Sequence, residues 1–422
     1  MINAVLDAAG ATFREARFSG GILVSDNLQL TGRLLIRLIQ RFRATTRGRK
    51  MKYRRLARSV VSLIAFFAHS LFAQQPVAWH DPSTHTIKFV TVDRGVKLEV
   101  LDWGGSGRPL VLLAGLGNTA HVFDDFAPKL TSQYHVYGIT RRGFGASSIP
   151  ASGYSGDRLG DDVLAVLDTL KLDRPVLVGH SIAGGELSSI GSRHPERIAG
   201  LIYLEAAYGH AYYDTSKGDF VIDLQKLQKN LGQLQSANDL TDEKALIEEL
   251  LHTTLPRFGR ELESLRQEVS QRQPSEPTPT DADRASFEAY HSWEKRIFGF
   301  GPPVSELHQK FESTHDGHVG TEKANKENAV FLGRQAYSDI PCPILAIYAV
   351  PEDLGPFVDD DPVARAAFDS DSVAIREPLI KAFETGVPSA HVVRYPHAAH
   401  YVFMSNEADV IRDMHTFITG LH

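Results

Sequence analysis

The chain has 422 residues, 42% of them hydrophobic, and a net charge of −6. That length supports a large core and exceeds one average domain, while a single cysteine, Cys342, excludes an intrachain disulfide and any zinc-type cysteine spacing. Residues 1–73 hold 13 Lys+Arg against 3 Asp+Glu and the remainder holds 32 against 48, so the acidic body argues against a basic nucleic-acid surface.

From Met51 the chain reads MKYRRLARSVVSLIAFFAHSLFAQQ. Lys52, Arg54, Arg55 and Arg58 form a positive region, Val60 to Phe72 an apolar run, and Ala73 a small residue suited to cleavage. Leu71 departs from the small residue preferred two positions before Ala73. The run is too short for an ordinary membrane span. The expectation is a secretory signal over 51–73, a non-native or disordered extension over 1–50, and a periplasmic or secreted protein with no stable span once the signal is removed.

From Ile87 the pattern becomes β-rich. Ile87 to Val92 and Val96 to Trp103 alternate around Asp93-Arg94-Gly95, a hairpin signal. Leu110 to Leu113 is an apolar run suited to a strand buried on both faces. His121 to Leu130 suits a short helix, Tyr134 to Ile139 a strand, and Arg158 to Leu170 a helix with Leu159, Val163, Val166, Leu167 and Leu170 on one face. Val176 to Val178 is a strand, Ala183 to His194 a helix, and Ile198 to Leu204 a strand. This alternation implies an α/β fold, a mostly parallel twisted sheet covered by helices on both faces.

The rhythm breaks over 208–337, where Phe220 to Leu231, Asp242 to Leu251, Phe258 to Val269 and Ala285 to Ile297 have helical spacing and no convincing strand appears. Gln273 to Pro279 reads as a proline-rich link. The segment is expected to be a helical cap inserted between core segments 84–207 and 338–422. Phe298 and Phe300, between Gly299, Gly301 and Pro302-Pro303, suit either a mobile apolar gate or the cap's own core. Strands resume at Ile344 to Tyr348 and His391 to Tyr395, and a closing helix runs from Glu407 to Gly420.

Chemistry concentrates at Pro175 to Gly185, PVLVGHSIAGG. A strand, a tight turn with serine at its apex and a following helix make a nucleophile elbow, whose strained turn needs small residues two before and two after the serine. These are Gly179 and Ala183. Ser181 is therefore the candidate nucleophile, and a serine hydroxyl needs a base, an orienting acid and oxyanion donors. The acid is expected after the strand ending at Tyr348, with Asp353 first and Glu352 second; Glu205, ending an earlier strand, is a further alternative. The base is expected after the last strand, with His400 first and His397 second. The N–H groups of Ile182 and Leu116, the latter in the loop Ala114-Gly115-Leu116-Gly117-Asn118, are the candidate oxyanion donors. A metal pair at His397 and His400 lacks further clustered ligands, so no metal is expected.

From about Val90 to His422 these residues resemble the α/β-hydrolase superfamily. GHSIAGG resembles its elbow, RRGFGAS at Arg141–Ser147 the segment after its fourth strand, PHAAHYVF at Pro396–Phe403 its histidine loop, and AGLG at Ala114–Gly117 stands where a His-Gly opening is commoner. The resemblance implies a cap where the helical insertion lies, and some members place the acid at the strand end that Glu205 occupies. It spans esterases, lipases, thioesterases, peptidases, perhydrolases, dehalogenases and epoxide hydrolases; the last two usually use an aspartate nucleophile, which Ser181 argues against. The expected function is cleavage of a small ester-like acyl substrate through an acyl-enzyme without a cofactor. The rivals are an amide or peptide hydrolase with the same triad and a non-catalytic binding protein that retains the fold.

Overall fold

The computed structural model describes residues 79–236, 240–270, 276–359 and 362–421. The expected signal at 51–73, the extension at 1–50 and residues 273–275 of the proline-rich link lie outside the described residues.

Eight strands build the main sheet. Hairpin strands β1 (Thr86–Asp93) and β2 (Val96–Gly104) lead to β3 (Pro109–Leu113), β4 (His135–Ile139), β5 (Val176–His180), β6 (Gly200–Leu204), β9 (Ile344–Ala349) and β10 (Ala390–Tyr395), with β7 and β8 elsewhere. The order is β1-β2-β4-β3-β5-β6-β9-β10. β1 and β2 pair antiparallel, β2 and β4 antiparallel, and the remaining pairs are parallel.

The central strands are apolar throughout because both faces are covered. Leu177, Leu201, Tyr203, Ile344, Ala346 and Tyr348 enter one core, whereas Val176, Val178, Ile202, Leu204, Leu345, Ile347 and Ala349 enter the other. That is the two-residue period of a pleated strand. On the first face lie α1 (Gly156–Leu170) and α2 (Gly184–Arg193); Val163, Val166, Leu167, Leu187 and Ile190 fill the first core. α11 (Glu407–Thr419) presents Val410, Met414 and Ile418 to the second core at helical spacing.

The inserted segment holds α3 (Phe220–Ser236), α4 (Leu240–Glu249), a π turn at Leu250–Thr254, α5 (Leu255–Ser270), α6 (Phe287–Phe298), α7 (Val304–Lys310) and α8 (Glu327–Leu332). It also contains a hairpin, β7 (Phe311–Ser313) with β8 (Val319–Glu322), which corrects the expectation of an all-helical insertion. The pair spans three and four residues, too short for an alternating pattern to stand out. His121–Leu130 likewise forms two 3-10 turns, Ala120–Phe123 and Ala127–Leu130, instead of one helix; Pro128 sits inside the second. α9 (Pro362–Gly386), between β9 and β10, was not anticipated, and α10 (Val402–Ser405) follows β10.

Candidate active site

The residues with chemistry converge on the carboxyl edge of the sheet, where open α/β sheets carry their sites. Leu113 pairs with Gly179, His180 with Leu204, and Leu204 with Ile347. The segments leaving β3, β5, β6 and β9 therefore emerge beside one another.

Ser181 follows β5 immediately and adopts φ +54°, the left-handed conformation of an elbow. Small neighbours permit the turn. A Cβ on Gly179 would lie 2.9 Å from Leu187 and 3.2 Å from the Ala183 methyl, and one on Gly184 would overlap the Ala206 carbonyl oxygen. Ala183 is fully buried, so the methyl that departs from glycine fits between strand and helix.

His400 Nε2 lies 2.9 Å from Ser181 Oγ, and His400 Nδ1 lies 3.2 Å from Glu205 Oε2. Glu205, the residue after β6, has φ +51° and no exposed surface. It also accepts hydrogen bonds from the Ala349 amide (2.6 Å), the Tyr208 hydroxyl (2.7 Å) and Arg376 Nη1 (2.8 Å). Burial pushes its carboxyl pKa up, but the His400 hydrogen bond and the Arg376 charge outweigh burial and hold it below the ordinary value. Glu205 is thus an ionised, fully partnered carboxylate aimed at the histidine.

The carboxylate facing His400 is accordingly not Asp353. The Asp353 side chain accepts from the Gly355 amide at 2.9 Å and pairs with Arg365 at 3.0 Å, while its amide donates to the Ala398 carbonyl at 2.8 Å. It closes the loop it sits in. Glu352 pairs with Arg376, which stands between it and Glu205. His397 is exposed with φ +57°, and its amide donates to the Pro351 carbonyl, so it shapes the histidine loop rather than facing Ser181.

Two further histidines brace the elbow. His180 Nε2 donates to the His400 carbonyl at 3.0 Å, and His210 Nε2 donates to the Ser181 carbonyl at 2.9 Å. Burial, and then the nearby His400 charge, pushes His180 well below its ordinary pKa. Burial, and then Arg334, takes His210 down to about 4. Both are neutral donors at neutral pH.

The loop after β3 passes against the elbow: a Cβ on Gly115 would lie 2.7 Å from His180 Nδ1 and 3.3 Å from Ser181 Cβ. This approach requires glycine and brings Leu116 beside the serine's turn, where Leu116 and Ile182 pack against the same buried cluster of Phe144, Tyr154, Leu159 and Val330. Buried Arg141, paired with Glu186, donates to the Ala114 carbonyl at 2.8 Å and fixes the start of this loop. From α7, Glu306 accepts from Asn118 Nδ2 (2.9 Å), the Thr119 amide (3.0 Å) and the Thr119 hydroxyl. The inserted segment therefore grips the loop directly. Phe298 packs in the cluster of Phe287, Tyr290 and Trp293, and Phe300 lies 5.5 Å from Tyr401 between ring centres. Phe298 belongs to the insertion's own core.

The profile of the α/β hydrolase fold matches residues 108–407. The chain belongs to the α/β-hydrolase fold family. Its relatives include epoxide hydrolase 4 from Mus musculus, 31% identical over 148 residues covering 33% of this chain and 40% of that one. Another is 2-hydroxymuconate semialdehyde hydrolase from Pseudomonas sp. (strain CF600), 32% identical over 117 residues covering 27% and 41%. Non-heme chloroperoxidase from Streptomyces lividans is 33% identical over 120 residues covering 28% and 44%. The chain spans less than half the length of each of these relatives. Among solved structures, E-2-(acetamidomethylene)succinate hydrolase is 17% identical with a TM-score of 0.48, covering 80% of this chain and 100% of that one.

Arg376, Tyr208, Glu186, Glu306 and His210 escaped the sequence reading, and Arg141 entered it only as the start of the RRGFGAS segment. Only Glu205 carried a signal, its place at a strand end.

Proposed function

We propose that the protein is a serine hydrolase that cleaves ester-like acyl substrates through an acyl-enzyme. The observation that carries this reading is the chain Ser181–His400–Glu205, with contacts of 2.9 and 3.2 Å, on an elbow that holds the serine at positive φ. Ser181 Oγ attacks the substrate carbonyl carbon while His400 Nε2 takes its proton. Glu205 accepts the Nδ1–H bond and stabilises the imidazolium. The N–H groups of Leu116 and Ile182 receive the oxyanion, each worth about 100-fold or more in turnover. Collapse of the tetrahedral intermediate breaks the C–O bond, and His400 returns the proton to the leaving alcohol. A water, deprotonated by His400, then attacks the acyl carbon, and Ser181 leaves with that proton. The insertion that grips the loop after β3 through Glu306 sets which acyl groups enter.

A fluorophosphonate probe tests the nucleophile. Wild-type protein is expected to label, and Ser181→Ala to lose both labelling and roughly 10⁴-fold or more of the p-nitrophenyl ester turnover. Folded wild type that does not label would sink the reading. Faster turnover of aminoacyl anilides than of esters would replace it with an amide hydrolase. We also propose that the protein is exported through the signal pattern at Met51. Sequencing the secreted protein's N-terminus is expected to find it near Gln74, and intact Met1 in the soluble cytoplasm would refute this.

A further inference from the structure

A second cluster of ligand-type side chains lies apart from the serine, histidine and glutamate above and shares none of their residues. Asp81, His85, His121 and Asp124 each place one nitrogen or oxygen within 4.8 Å of the others. His121 Nδ1 lies 3.1 Å from Asp124 Oδ2 and 3.3 Å from Asp81 Oδ2, and His85 Nε2 lies 3.6 Å from Asp81 Oδ2. Four ligands at zinc distances of about 2.0–2.1 Å in a tetrahedron stand about 3.3 Å from one another. These three spacings bracket that value, and all six lie within 4.8 Å.

Three of the four side chains are enclosed, and that of Asp81 is 19% exposed. The side chains of His85 and Asp124 are 2% exposed and that of His121 is 0%. Asp81 Oδ2 is buried without a hydrogen-bond partner among the described residues, as is His121 Nε2. An oxygen shut away from water beside two imidazoles at 3.3 and 3.6 Å, ion-paired but without a well-formed hydrogen bond, is incompletely satisfied unless something else occupies the site.

The surroundings supply what metal ligands need from outside. His121 Nε2 points toward Glu99 Oε1 at 3.5 Å, and Glu99 Oε2 is already held by the Thr140 hydroxyl at 2.7 Å. With Nδ1 on a metal, Nε2 must carry the proton and Glu99 is its acceptor, the carboxylate–histidine–metal relay. Asp124 is in turn oriented by Trp103 Nε1 at 3.1 Å and by the Ser305 hydroxyl of α7 at 2.6 Å.

We infer that Asp81, His85, His121 and Asp124 form a binding site for one divalent transition-metal ion, zinc by preference. Two imidazoles and two carboxylates gathered this closely suit zinc; calcium and magnesium favour more oxygens and larger coordination numbers. The expectation of no metal weighed the lone cysteine and the pair His397 and His400, and this site uses none of them. The site is structural, because all four positions are taken by protein ligands. It ties the segment before β1, the 3-10 turn that follows the loop after β3, and α7 through Ser305. The same turn leads back through Thr119 to Glu306, so the ion braces the loop that passes Ser181.

The test uses untagged full-length protein, loaded with zinc, passed through gel filtration and assayed by plasma mass spectrometry beside His85→Ala and Asp81→Asn. About one zinc per wild-type chain is expected, with occupancy at least tenfold lower in both variants at matched free zinc. Cobalt in place of zinc is expected to give tetrahedral visible absorption in wild type alone. At free zinc about 100-fold above its dissociation constant, the wild-type melting temperature is expected to rise by about 5 °C. Asp81→Asn preserves volume at the partly exposed position and serves if His85→Ala does not fold. Wild type that retains no zinc, or variants that retain as much as wild type, overturns the site and leaves a buried network of ion pairs.

Discussion

The core sheet and the inserted segment are held together by different means. In β5, β6 and β9 every residue is buried, and neighbouring residues fill opposite cores. In α3 to α5 much of the apolar surface stays open: Ile247, Leu251, Leu255 and Leu262 are all more than two-fifths exposed. Most of what is buried there is polar: Asp223, Asn230, Thr254 and Glu261, beside Val221 and Leu250. Asp223 accepts from Tyr213 at 2.7 Å and pairs with Arg257 at 3.3 Å, with Glu261 beside it. The core is therefore stabilised by non-directional burial, which tolerates little loss of volume. α3 to α5 are held by a few directional contacts, while α6 and α7 share an apolar cluster of Phe287, Tyr290, Trp293 and Leu307; the contacts near Ser181, Glu306 with Asn118 and Thr119, position rather than merely stabilise.

The largest effect that probes this contrast lies at the core's edge. Glu205→Gln keeps the shape but removes the charge that orients and stabilises His400, and turnover is expected to fall on the order of 10³–10⁴-fold. Asp353→Asn is expected to stay within about threefold, because Asp353 serves its own loop. Steady-state kinetics on one ester decide this; equal losses in the two variants would mean that His400 changes its partner during turnover.

Next in size is the packing contrast. Leu345→Ala, fully buried in β9, is expected to cost about 2–5 kcal/mol in denaturant melts. Leu262→Ala, 47% exposed in α5, is expected to stay within about 0.5 kcal/mol. A comparable loss at Leu262 would show that a further surface covers the insertion.

The smallest effect is pH-dependent. Burial, and then Asp223, pushes the Glu261 carboxyl up to about 8. A raised folded-state pKa contributes stability that is complete below the unfolded value of about 4.3 and is lost as pH rises through about 8. Asp223 is lowered instead, so its own contribution is lost only in acid, outside that window. Thermal melts from pH 5 to 9 are expected to show wild type losing a few degrees that Glu261→Gln retains. Parallel curves would mean that Glu261 is already ionised.

Much of the fold was legible because the central strands are continuous apolar runs and their order is constrained by right-handed crossovers. The elbow was equally legible, since Gly179, Ser181 and Ala183 meet a steric demand within five residues. The short hairpin of the insertion and the 3-10 turns after His121 were not, because neither is long enough to show a period.

The sequence by itself determined the architecture, the serine at its apex and the histidine loop after the last strand, because each depends on residues close together in the chain. Only the tertiary structure decided the acid. Asp353 and Glu205 both follow strands that end at the site, and the choice depends on which carboxylate turns toward His400, which is 195 residues from Glu205 but far nearer Asp353 in the chain. Arg376 of α9, Tyr208 and the Ala349 amide converge on Glu205, whereas Arg365 and the Gly355 amide hold Asp353 elsewhere. The partners that commit a buried charge come from distant segments, and no local pattern reveals them.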